Sequence, residues 1–60
     1  MQADQIKAQR KAAGMTQAEL GEAIGLSRVT IGLMERGQAP IEKRTWLAVL
    51  YVTQVAIPRA

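Results

Sequence analysis

Thr16 to Gly37 reads TQAELGEAIGLSRVTIGLMERG, and the order of its residues predicts two short helices joined by a tight glycine turn. Thr16-Gln17-Ala18-Glu19 fits a capping box, in which the Thr16 hydroxyl accepts from the amide of residue 19 and Glu19 reaches back to the amide of residue 16. Leu20, Ala23 and Ile24 give the first helix one apolar face. Gly25 supplies the left-handed backbone that ends it without a Cβ clash. Ser27 caps a second helix carrying Arg28 through Arg36, and Gly37 closes it.

With Ile31 at the centre of the buried face and about 100° per residue, Ser27, Met34 and Glu35 fall on the inward side of this second helix. Val29, Leu33 and Arg36 point outward, flanked by Thr30 and Gly32, with Arg28 near the tip. A solvated face would carry Glu, Lys and Gln; this one carries a guanidinium, a hydroxyl, a glycine and two branched apolar groups. The mixture suits a DNA major groove, where Arg donates twice to guanine O6 and N7 and apolar groups meet the thymine methyl. Gly32 costs about 1 kcal/mol of helix stability relative to Ala, and it removes bulk where a groove wall or a neighbouring helix could approach. The competing reading makes Val29 and Leu33 core residues of a helix buried on both sides, for which so short a chain has little material.

Sixty residues make one domain, residues 1–60, with the two-helix unit at 17–36. A chain of this size buries only about 60% of the surface its unfolded form exposes. It has no cysteine, so no disulfide adds stability. No run of about 18 apolar residues predicts a membrane span, and MQADQIKAQRKAAG lacks an apolar signal core; a cytoplasmic location is expected. Eight Lys/Arg against five Asp/Glu give a net charge of +3, compatible with a phosphate partner but equally with solvated side chains. With neither histidine nor cysteine and with scattered carboxylates, no catalytic or metal-ligating constellation is present. No enzyme activity, metal, cofactor or small-molecule ligand is expected.

An N-terminal helix is predicted over about residues 3–13. Asp4 suits its start, Lys7, Arg10 and Lys11 suit its end, and Gly14 stops it. Ile6, Arg10 and Ala13 share a face, and Met15 is a candidate core residue. Glu35 falls on the inward face at a helix C-terminus, where the macrodipole disfavours an acid. Arg10 is its best partner, although both could instead be solvated. After Gln38-Ala39, Pro40 is placed in the first turn of a fourth helix, with Glu42 also in that turn.

TWLAVLYVTQVAI, residues 45–57, is apolar on every side of a helical wheel. Three short helices cover one face only, so an exposed patch is expected. A homodimer built on residues 41–57, with Trp46, Tyr51, Val52 and Val55 in the interface, would cover it. Alternatively Val49 to Ile57, rich in β-branched residues, forms a strand pairing with its copy.

The segment from Ile6 to Pro40 resembles the phage-repressor and Cro type of helix-turn-helix domain, the XRE family. The residues that match are Arg10, Gly14, Thr16-Gln17, Leu20, Gly25, Ser27, Ile31, Glu35, Gly37 and Pro40. The resemblance implies an all-α, lambda-repressor-like bundle of four or five short helices that binds operator DNA as a dimer and usually represses transcription. By this match Gln17 and Ser27 fall at phosphate-contacting positions, Arg28, Val29, Thr30 and Leu33 at base-reading positions, and Arg10 and Glu35 at a salt bridge of some members. Gly21 stands where the family most often has Ala, a difference expected to change little. Beyond Pro40 the match decays, so the family's dimer mode does not carry over.

These features together predict a sequence-specific regulator of double-stranded DNA, a repressor acting as a homodimer on a palindromic operator. Arg36, Lys43 and Arg44 are further candidate phosphate contacts. The alternative is a protein-interaction module, or an antitoxin-type protein, whose helix-turn-helix surface also binds a protein.

Overall fold

The computed structural model describes residues 2–54 as four α-helices: α1 (Gln2–Ala12), α2 (Gln17–Ile24), α3 (Arg28–Glu35) and α4 (Lys43–Gln54). α2 packs against α3 and α4, and α1 packs against the same two helices. Ile6, Met15, Leu20, Ile31, Met34, Val49 and Val52 form the core between them. Full burial of an aliphatic side chain of this size contributes roughly 1.5–3 kcal/mol.

Local chemistry fixes where α2 and α3 begin and end. The capping box at Thr16 is complete: the Glu19 amide donates to Thr16 Oγ1 at 3.0 Å, and the Thr16 amide donates to the Glu19 carboxylate at 2.8 Å. Gly25 ends α2 at φ 80°, and the next amide, that of Leu26, returns to the Gly21 carbonyl at 2.8 Å. This hydrogen-bonded reversal holds α3 across α2 at a fixed angle.

Gly21 matters more than the sequence suggests. It is buried, and a Cβ there would collide with the carbonyl oxygen of Leu26 and crowd the carbonyl carbon of Ser27 at 3.2 Å. Both are backbone atoms of the turn, so an alanine can be seated only by moving the turn. Gly21→Ala is expected to destabilise the domain by about 1–3 kcal/mol, despite the better helix propensity of alanine, as urea denaturation would show. A neutral or stabilising effect would mean that the turn yields freely.

α1 contributes little apolar surface. Ile6 is its one fully buried hydrophobic side chain, and polar ties supplement it. Gln9 Nε2 donates to Thr53 Oγ1 on α4 at 3.1 Å, while Thr53 donates to the Val49 carbonyl at 2.7 Å.

The C-terminal segment departs from expectation in three ways. Pro40 and Glu42 lie outside the fourth helix, which starts at Lys43. The Glu42 carbonyl accepts the first helical bond, from the Trp46 amide at 2.9 Å, so Glu42 flanks the helix rather than sitting in its first turn. Residues 49–54 are helical, which removes the strand over that range; 55–57 lie outside the described residues. Val52, expected in the interface, is 8% exposed and packs with Val49, three residues earlier, in the chain's own core. Trp46 is half-buried against that core. The side of α4 left bare carries Leu47 and Tyr51, 53% and 65% exposed, with half-buried Leu50 between them. Val55 lies outside the described residues. Ala23, assigned to the apolar face of α2, is exposed; Leu20 and Gly21 are that helix's buried residues.

Candidate nucleic-acid interface

α3 presents a short, sharply defined edge. Ser27, in extended backbone, accepts from the Thr30 amide at 3.1 Å, and its hydroxyl lies 3.0 Å from that of Thr30. The cap locks these two hydroxyls together at the helix tip. Arg28 is exposed and Val29 is 62% exposed, while Thr30 and Leu33 are half-buried. One branched apolar side chain therefore stands in water beside a guanidinium, at a hydration cost that contact with a partner would relieve. Gly37, at φ 74°, closes α3 by letting the Gln38 amide reach the Leu33 carbonyl at 2.8 Å.

Gly32 is placed differently from the helical-wheel reading, which put it on the flank of the outward face. It is buried, covered by the side chains of Gln17 and Arg36. Residues four apart stack on one helix face and lean toward the N-terminus, so Arg36 reaches back over Gly32 from the end of α3.

Behind this edge lies a charged network. Arg10 Nε and Nη2 donate to the two Glu35 oxygens at 2.6 and 3.1 Å, and Arg10 Nη1 donates to the Met15 carbonyl at 2.9 Å. The two side chains are 11% and 4% exposed. Gln17 Nε2 adds a bond to Glu35 Oε1 at 3.2 Å. Burial pushes the Glu35 carboxyl up, but the hydrogen bonds from Arg10 and Gln17 and the charges of Arg10 and Lys7 outweigh it, holding the group below the usual carboxylate value. The network ties α1, the start of α2 and the end of α3 into one block. No buried side-chain nitrogen or oxygen among the described residues lacks a partner.

The other candidate phosphate contacts are spread over the surface. Gln17, at the start of α2, is half-buried with one of its two N–H donors already committed to Glu35. Lys43 opens α4 and is exposed. Arg44 Nε donates to Glu42 at 3.0 Å in a fully solvated pair that holds it only weakly. Arg44 also borders an open cleft with Ile24, the last residue of α2, and Leu26 of the turn that follows. Sequence reasoning missed Leu47 on α4 and the bond between Gln17 and Glu35. A heptad-like 47, 50, 51 spacing was the available signal for the first; the second had none.

Two helices crossing on a glycine turn, with a capped outer helix whose exposed edge mixes Arg, Val and Thr, define a helix-turn-helix domain. A family model described as helix-turn-helix matches residues 6–57. The chain belongs to the XRE-type helix-turn-helix family, a family of DNA-binding regulatory domains. No curated protein and no solved structure matches it. Among the described residues no helix is long and apolar enough to cross a membrane, and no group of acidic, His or Cys side chains could hold a metal ion.

Proposed function

We propose that the chain is a cytoplasmic, sequence-specific transcriptional repressor that binds a palindromic operator as a homodimer. The exposed Arg28–Val29 tip of α3 carries this reading: it offers a guanidinium for guanine and an apolar branch for the thymine methyl at adjacent positions. Thr30 and Leu33 extend the base-facing edge, while Ser27, Gln17, Arg36, Lys43 and Arg44 hold phosphates and set the register. Such an arrangement separates the side chains that specify from those that position.

Selection of bound duplexes from a random DNA pool tests this. The expected product is a palindrome with half-sites about 34 Å apart, one turn of DNA. Affinity should fall steeply with salt as counterions are released. Lys43→Ala should weaken all sequences alike and lower the salt slope by about 1. A protein partner on the same surface, the competing reading, would leave no consensus and would bind with little dependence on salt.

Homodimerisation is assigned to the bare side of α4, where Leu47 and Tyr51 lie one turn apart. Leu47→Glu is expected to shift the sedimenting species to monomer and to reduce operator affinity while the four-helix fold stays intact by circular dichroism. A dimer indifferent to this change uses another surface.

A further inference from the structure

We propose that Gly32 is a positioning residue: the notch it leaves in α3 seats the Arg36 guanidinium against the Gln17 carboxamide, so that the two grip one phosphate together. The proposal rests on the DNA-binding reading above and adds the device that makes α2 and α3 act on the backbone as a pair. Three atoms converge on the point where a Gly32 Cβ would stand: Arg36 Nη1 at 3.4 Å and the Gln17 carboxamide oxygen and nitrogen at 3.7 and 3.8 Å. Gln17 comes from the first turn of α2 and Arg36 from the C-terminal end of α3, and both reach this notch.

Each side chain is steadied from behind. Gln17 Nε2 is held by Glu35, whose charge Arg10 neutralises. Arg36 Nε is held by Gln38 Oε1 at 3.3 Å. That leaves the terminal guanidinium nitrogens and the second Gln17 N–H as donors, a set suited to an anionic oxygen. A side chain longer than a methyl group at position 32 would occupy the notch and push both groups aside. A glycine in the middle of a helix, otherwise a cost to the fold, thereby gains a reason.

The test uses the full chain and a random-sequence duplex, with affinity measured across a salt series. Gly32→Gln, a helix-compatible residue that fills the notch, is expected to weaken binding roughly three- to tenfold and to lower the salt slope by about 1. Arg36→Ala should do the same, and the double variant should be no weaker than either single one. Gly32→Ala, whose Cβ meets its neighbours at ordinary contact distances, should restore binding and slope relative to Gly32→Gln. Circular dichroism checks the fold; should Gly32→Gln not fold, an unchanged slope for the solvent-exposed Arg36→Ala alone overturns the proposal. A wild-type slope in Gly32→Gln, or additive losses in the double variant, overturns the notch while leaving DNA binding intact. Wild-type protein that binds duplex with no salt dependence overturns both.

Discussion

Glu35→Ala is expected to unfold a large share of the protein at room temperature and neutral pH. The substitution leaves the Arg10 guanidinium, only 11% exposed, with the Met15 carbonyl as its one remaining partner, and it frees the Gln17 amide. Breaking a buried ion pair by removing one side costs about 3–5 kcal/mol, and a core of this size rarely supplies more than about 3–5 kcal/mol in total. The loss also undocks α1, which has only Ile6 as a fully buried anchor. Replacing both partners by apolar residues, Arg10→Met with Glu35→Leu, should be far less damaging than either single change, because no charge is then stranded. Urea denaturation of the three variants reads this directly; equal losses in single and double variants would mean that side-chain shape at these positions matters more than their pairing.

The same pair sets an acid limit. Because the folded Glu35 carboxyl titrates below its usual value, its contribution is complete above the ordinary carboxylate range and is lost as pH falls through the lowered folded value. Stability should therefore drop on acidification across that window, and Glu35→Gln should flatten the dependence, as denaturation midpoints measured along a pH series would show.

Arg28→Ala is expected to cost about 1–3 kcal/mol of operator affinity and to relax one base position in each half-site. Arg28 is exposed at the first position of α3, and neither ion pair among the described residues includes it, so its removal breaks no ion pair of the fold. Melting temperature should hold while specificity falls. Lys43→Ala provides the contrast, because losing a phosphate contact lowers affinity without changing the preferred sequence. An Arg28→Ala variant with unchanged specific and nonspecific binding would show that α3 is not the reading helix.

Much of the helix-turn-helix was legible because its signals are local. Thr16 and Glu19, Ser27, and the glycines after α2 and α3 act through hydrogen bonds within a few residues, so spacing alone places them. Glu35 was legible for another reason: an acid on an inward face at a helix C-terminus needs a cation, and Arg10 was available. The C-terminal helix was not legible in the same way. Apolar residues on every side give a wheel no preferred direction, so Val52 could be assigned outward although it packs with Val49. Pro40 suits the first turn of a helix by its own geometry, yet the chain uses two more residues, Ile41 and Glu42, before α4 starts. The burial of Gly32 depends on two side chains from elsewhere, Gln17 and Arg36, which no pattern within α3 encodes. Gly21 is a similar case, since its tight fit is against the carbonyl of Leu26 on a turn whose path only the fold defines.

Methylation interference on the selected duplex is the most direct test of whether the exposed edge of α3 enters the major groove. Guanine N7 lies in that groove, so N7 methylation at the consensus guanines should block binding of the wild-type protein, and Arg28→Ala should lose that sensitivity at one position per half-site. Full binding to duplexes methylated at every consensus guanine would contradict major-groove recognition by this helix.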